Sequence, residues 1–184
     1  MRRLLALAII ACGADGCSRR QPAQASSLDS LTATRDTAAI YNAGVAAYQA
    51  KRYDEARLYW QRSTEFGDRE ALGNLGYLVY YGLGGPADSL RGIALWRQSA
   101  ALGHPEAHEH LAQAILNGDH SIGQATDAYA HAVAAKKLAT LHGNDPGVGP
   151  NASITLAKLS LSLTLAERMH ADSVGLAWAA AEVK

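Results

Sequence analysis

The densest group of side chains able to do chemistry is the run GHPEAHEHLA, where His104, His108 and His110 stand with Glu106 and Glu109. Imidazoles and carboxylates are the usual zinc ligands and proton carriers, so a metal or an acid–base pair would sit here. His104 and His108 have the i, i+4 spacing that puts two side chains on one helix face. Three features argue against a metal site. Pro105 places His104 just outside the helix, His108 and His110 point to different sides, and the order is not HExxH. The run therefore reads as solvated histidines at a helix start.

Other catalytic signatures are missing. No serine is followed three residues later by lysine, and there is neither a GxSxG nor a phosphate-binding loop. The glycine run Gly82-Leu83-Gly84-Gly85-Pro86 lacks the necessary lysine. Both cysteines, Cys12 and Cys17, lie near the N-terminus, so the chain beyond them has no disulfide and no thiolate metal site. The expectation is a non-catalytic chain with no metal and no cofactor.

Lys+Arg and Asp+Glu are each 17, giving a formal net charge of zero. No basic stripe of the kind that releases counterions from a phosphate backbone is present, so nucleic acid is not an expected partner. Alanine and leucine dominate, with a single Phe and five Pro, a composition that favours helix.

Met1-Arg2-Arg3 followed by the apolar run Leu4 to Ala11 has the form of an export signal over residues 1–17. The run is too short to span a bilayer. Ile9-Ile10-Ala11-Cys12 is similar to a bacterial lipobox, which makes Cys12 the candidate lipidation site; plain secretion is the alternative. Residues 18–35, rich in Ser, Gln, Ala and Thr, read as a flexible tether. The expected location is the periplasm or cell envelope, with any membrane attachment made through a lipid anchor alone.

A period organises the remainder. Trp60 and Trp96 are 36 residues apart (96 − 60), and Ser63 with Ser99, Gly67 with Gly103 and Glu70-Ala71 with Glu106-Ala107 keep the same step. Gly44 and Gly76 are offset by 32 (76 − 44). Such a period marks a supersecondary unit stacked on its neighbours. Ile40, Ala43, Gly44, Ala47 and Tyr48 share one helical face; Ala56, Tyr59, Trp60 and Ser63 share the next, which ends at Gly67. Both tryptophans are expected inside.

The segment IYNAGVAAYQAKRYDEARLYWQRS resembles a tetratricopeptide repeat through Gly44, Tyr48, Tyr53, Ala56, Trp60 and Ser63. The segment from Ala71 to Gly103 resembles the related Sel1-like repeat through Leu75-Gly76, the glycine turn at 82–85, and Asp88, Arg91, Trp96, Ala100 and Gly103. It departs from that pattern at Val79 and Gly92. A loop insertion of four residues reconciles the two offsets (36 − 32). Units are expected at 38–68, 69–104 and 105–141, with a degenerate cap over 152–183. In the third unit the loop between helices reads as shortened, and the second helix runs to about Leu141. The cap helices are placed at roughly Ala152 to Arg168 and Asp172 to Val183. The resemblance implies an all-α, right-handed α-solenoid of about four antiparallel helix pairs over 36–184.

It also implies that the first helix of each pair lines a concave, partner-binding face. That face would hold Tyr41, Asn42, Val45 and Tyr48 from the first unit, then Asn74, Tyr77 and Tyr80 or Tyr81 from the second. The third would add Glu109, His110, Gln113 and Leu116. Asn42 and Asn74 stand where such repeats bond a peptide backbone, with donor and acceptor in one amide. The tyrosines offer contact area of the hot-spot kind. No Lys or Arg occurs between Ala38 and Ala50 or between Glu70 and Leu83, which argues against a clamp for a terminal carboxylate. The expected function is a protein- or peptide-binding adaptor in the bacterial envelope. The alternatives are an envelope hydrolase using the Glu106–His110 cluster, or an accessory subunit of an envelope enzyme complex.

Overall fold

The computed structural model describes residues 28–33, 35–119, 121–143 and 147–181, which among themselves form helices and the turns between them. The signal segment, Cys12 and Cys17 lie outside the described residues. A helical segment at 28–33 (α1) precedes α2 (Thr37–Gln49), α3 (Tyr53–Thr64), α4 (Arg69–Tyr81) and α5 (Ser89–Ala101). Then come α6 (Pro105–Leu116), α7 (Ala125–Leu141), α8 (Val148–Ser160) and α9 (Leu165–Ala181). No described helix is long and apolar enough to cross a membrane.

Local chemistry sets the helix ends. The carboxylates of Asp36, Asp68 and Asp88 accept from the backbone N–H of Ala39, Ala71 and Arg91, each satisfying a donor that the helix itself leaves open. Gly82 closes α4 in the left-handed conformation at φ 71°, where a side chain is strained. Consecutive helices from α2 to α8 pack on one another, and α9 packs on α7, so the chain is a helical solenoid.

The period is written into the packing. Trp60 and Trp96 are 3% and 1% exposed, and their indole N–H groups donate to the carbonyls of Tyr41 (3.3 Å) and Gly73 (3.1 Å). Those acceptors are themselves 32 residues apart (73 − 41). The fully buried Ser63 hydroxyl donates to the Asp68 carboxylate (2.6 Å), with the first carbonyl of α2, Thr37, 3.5 Å away, and the Ser99 hydroxyl donates to the first carbonyl of α4, Arg69 (2.7 Å). The second-helix residues shift by 36 because the α4–α5 connection has seven residues (82–88) and the α2–α3 connection three (50–52), a difference of four. Arg57 holds the longer connection, donating to the carbonyls of Leu78 (2.7 Å), Leu83 (2.6 Å) and Pro86 (3.2 Å).

Several details depart from the sequence reading. Residues 28–33 are helical rather than tether, with Leu28 buried and Thr32 accepting from Arg62 Nε at 3.2 Å. The α6–α7 connection is not shortened: it runs from 117 to 124, because Gln124 and Asp127 form a capping box that starts α7 late. The last helices divide at 161–164, not near Arg168. Thr164 and Glu167 cap each other there, with Thr164 N–H donating to Glu167 Oε2 at 2.7 Å and Glu167 N–H to Thr164 Oγ1 at 3.3 Å. Leu161, Leu165 and Met169 of this unit are exposed.

Candidate functional site

The first helices of the units, α2, α4 and α6, together with the start of α8, enclose an open groove of about 560 Å³. Its walls carry Tyr41, Val45 and Tyr48 from α2, Asn74 and Tyr77 from α4, and Glu109 and His110 from α6. These are seven of the residues expected on the concave face. Gln49, Glu106, Gly147, Val148 and Asn151 also line it, as does the edge of Trp60.

Asn42, Tyr80, Tyr81, Gln113 and Leu116 are not in its lining. Asn42 is exposed, one residue round the helix from Tyr41. Tyr80 packs against the Trp96 ring at 4.7 Å, with its hydroxyl 3.4 Å from Asp119, on the core side. Tyr81 is half exposed and leans on Tyr77 at 4.8 Å. The Gln113 amide donates to Asn117 at 3.0 Å, and Leu116 packs in the core between α6 and α7.

An aromatic ladder shapes the groove. Tyr48 lies 5.7 Å from Trp60 and 5.4 Å from Tyr53, and Tyr41 lies 6.4 Å from Trp60. Tyr77 is 5.5 Å from His110, whose ring stacks on Trp96 at 5.0 Å. The Asn74 amide donates to the Tyr41 hydroxyl at 3.1 Å and ties the first unit to the second. Burial raises the Tyr41 and Tyr48 hydroxyls above the usual phenol range, so both stay neutral.

Two carboxylates face the groove. Burial holds the Glu109 carboxyl above the ordinary range. Its neighbour His110, 3.9 Å away, is pushed down to about 4 by burial and by the charge of His104, so it is neutral near pH 7. Glu106 Oε2 lies 3.8 Å from His104 Nε2. Among the described residues, no Lys or Arg lines the groove, and neither does any Ser, Thr or Cys. Glu109 Oε2 and His110 Nδ1, 3.9 Å apart, are beyond direct hydrogen-bond distance.

Two of the three histidines of the run are not solvated, which corrects that expectation for them; the His110 side chain keeps 26% exposure. His104 and His108 are buried, and His110 lies against Trp96 and Tyr77. His108 turns away from the groove toward α7 and α9, its Nδ1 2.9 Å from Nδ1 of His131. Trp178 covers both rings, 5.8 Å from His108 and 4.6 Å from His131. Burial, the largest cause for each, pushes His108 down to about 4 and His131 to about 3. A second cavity of about 330 Å³ opens beside this pair, with Arg97, Leu111 and Ala181 in its walls. No group of three or more metal-ligating side chains forms among the described residues.

The chain brings Gly147, Val148 and Asn151 to the groove from between the third unit, expected to end at 141, and the cap, expected from 152. No local period could signal that return, because it depends on α8 folding back beside α6.

No family model matches the chain, and no curated protein matches it. Among solved structures it is similar to c5321, a protective antigen present in uropathogenic Escherichia coli strains that displays an SLR (Sel1-like repeat) fold. The identity is 16% at a TM-score of 0.69, and the likeness covers 83% of this chain and 32% of that one. The chain thus spans about a third of that protein's length and shares its fold.

Proposed function

We propose that this Sel1-like repeat solenoid is a non-catalytic adaptor that binds a protein segment along the groove, exported to the bacterial envelope and anchored there through Cys12. The groove supports the reading most directly. Its walls combine tyrosines, which give large contact area at little entropic cost, with amides able to bond a backbone. Its volume falls in the range of ligand-sized clefts, roughly 300–1,000 Å³. Repeat scaffolds present partner surfaces of this kind. The export and lipid parts of the proposal rest on the N-terminal run and Ile9-Ile10-Ala11-Cys12 alone.

The test places a photo-crosslinking residue at Tyr48 and, as a control, at the exposed Leu90 on α5. A specific adduct from Tyr48, absent from Leu90 and lost on Tyr77→Ala, is expected in envelope fractions. Equal yields from both positions would remove the groove from the account. Palmitate labelling that survives Cys12→Ser would remove the anchor.

A further inference from the structure

We infer that the second cavity, beside the His108–His131 pair, binds a flat two-ring aromatic carboxylate, its rings laid against Trp178 and its carboxylate held by Arg97. This site shares no residue with the groove, so the two can be filled independently.

Four helices meet around the cavity. Arg97 and Ala101 come from α5, His108 and Leu111 from α6, His131 from α7 and Trp178 from α9. Small-molecule sites are apolar clefts in which a few polar groups converge, often titratable ones moved from their usual range. This cleft has that make-up: alanine and leucine walls, an indole face, two imidazoles 2.9 Å apart and one guanidinium. Burial keeps both imidazoles neutral near pH 7, so they extend the aromatic wall and leave Arg97 to set the charge of the lining.

Size and shape select the ring system. An apolar cavity of about 150 Å³ holds one benzene ring, so a cavity of about 330 Å³ suits two fused rings with a small substituent. The Trp178 ring lies 26° from the plane of His108 and 32° from that of His131, and the three form a broad aromatic surface on which a flat ring stacks. Charge selects the substituent. Arg97 is exposed on α5, and a 3.1 Å bond to the Ile122 carbonyl fixes its guanidinium in place. Its charge reaches the cavity, where it helps to hold His131 uncharged. A guanidinium carries five N–H groups, so one bond to a carbonyl leaves donors for a carboxylate. An ammonium on the same rings would meet like charge instead.

Equilibrium dialysis of the folded full chain against naphthoate, with naphthamide as the neutral counterpart, tests the assignment. Naphthoate should bind, and Arg97→Gln should weaken it about tenfold, about 1.4 kcal/mol, while changing naphthamide little. Ala101→Phe fills the space from an exposed position on the wall and should abolish binding of both probes. Tyr77→Ala, in the groove, should alter neither. Naphthoate binding that survives Ala101→Phe, or that is lost in Tyr77→Ala, would overturn the site. Equal losses of naphthoate and naphthamide in Arg97→Gln, or no loss of either, would overturn the carboxylate. No uptake of naphthoate by the wild type at millimolar concentration would overturn both. Circular dichroism on each variant separates a filled cavity from a lost fold.

Discussion

The Trp96 indole lies across Gly76 so closely that a Cβ on that glycine would stand 2.6 Å from ring atom Cδ1 and 2.8 Å from Nε1. The preceding unit repeats the contact, with a Cβ on Gly44 at 2.4 Å from Nε1 of Trp60. Each glycine removes a side chain so that a tryptophan from the second helix can lie flat on the first. The pairing explains why the glycines and tryptophans recur together, and why the ring of Trp60 ends as part of the groove wall.

Gly76→Ala should therefore destabilise the fold even though it improves helix propensity. Alanine gains about 1 kcal/mol over glycine in a helix interior. Overpacking a filled site costs about 1–3 kcal/mol, and Trp96 cannot swing aside without losing its 3.1 Å bond to the Gly73 carbonyl. A net loss of up to about 2 kcal/mol is expected in urea melts. Gly149→Ala, where the new Cβ meets nothing within 4 Å, should show no loss. Equal stability of the two variants would mean the indole is not held as described.

The Gly76–Trp96 pair was legible in the sequence because both partners sit inside one short period and recur in step with Gly44 and Trp60. The four-residue insertion was legible for the same reason, and the end of α7 at Leu141 from the Gly- and Pro-rich stretch HGNDPGVGP that follows it. What escaped the reading depends on partners far along the chain. His108 is buried because His131 and Trp178 arrive from α7 and α9 to cover it, and no spacing near residue 108 encodes that. The repeat resemblance put Tyr41, Asn42, Asn74 and Tyr80 on one face; Tyr41 and Asn74 line the groove, while Asn42 faces solvent and Tyr80 faces Trp96, since that turns on the exact rotation of α2 and α4.

The His108–His131 contact predicts a loss of stability in mild acid. In the folded chain burial keeps both rings neutral until about pH 4 and about pH 3; in the unfolded chain they take up protons near their ordinary value of 6.5. The unfolded state binds more protons throughout the interval between, so stability falls as pH drops below about 6.5, and the fall ends once the folded rings also charge. Between pH 7 and 5.5 the loss is about 1 kcal/mol for each ring. Ordinary carboxylates are still ionised there, so the signal belongs to histidine. Urea midpoints at pH 7 and 5.5 measure it, and His131→Gln should shrink the difference. A flat profile in the wild type would contradict the enclosure of the pair.

Arg57 predicts a local effect. Its guanidinium bonds three carbonyls, Leu78, Leu83 and Pro86, and so fixes the glycine-rich connection onto α3. Arg57→Met keeps most of the stem and leaves those acceptors short of their donor, a cost of about 1–3 kcal/mol. Arg57→Lys should recover little, because a single ammonium cannot present the planar fork that spans several acceptors. Amide hydrogen exchange should rise first at Leu83 and Asp88, whose N–H groups bond the last turn of α4. Uniform exchange across the chain would show the arginine to be a global rather than a local fastener.

Tyr41→Phe separates the structural role of Asn74 from its binding role. The substitution keeps the ring beside Trp60 and deletes the acceptor 3.1 Å from the Asn74 amide. An ordinary hydrogen bond contributes about 0.5–1.5 kcal/mol. The Asn74 site is only half buried, so water can replace the lost partner and the stability change should fall at the lower end. For a groove-bound peptide the sign differs. Freed from Tyr41, the Asn74 amide has one more N–H for the peptide backbone, so affinity should hold or improve. Asn74→Ala should weaken binding, because it removes donor and acceptor together. Thermal melts and the yield of the Tyr48 crosslink compare the three proteins. If Tyr41→Phe and Asn74→Ala weaken binding equally, the Tyr41 hydroxyl itself contacts the peptide, and the inter-unit hydrogen bond opens when the groove is filled.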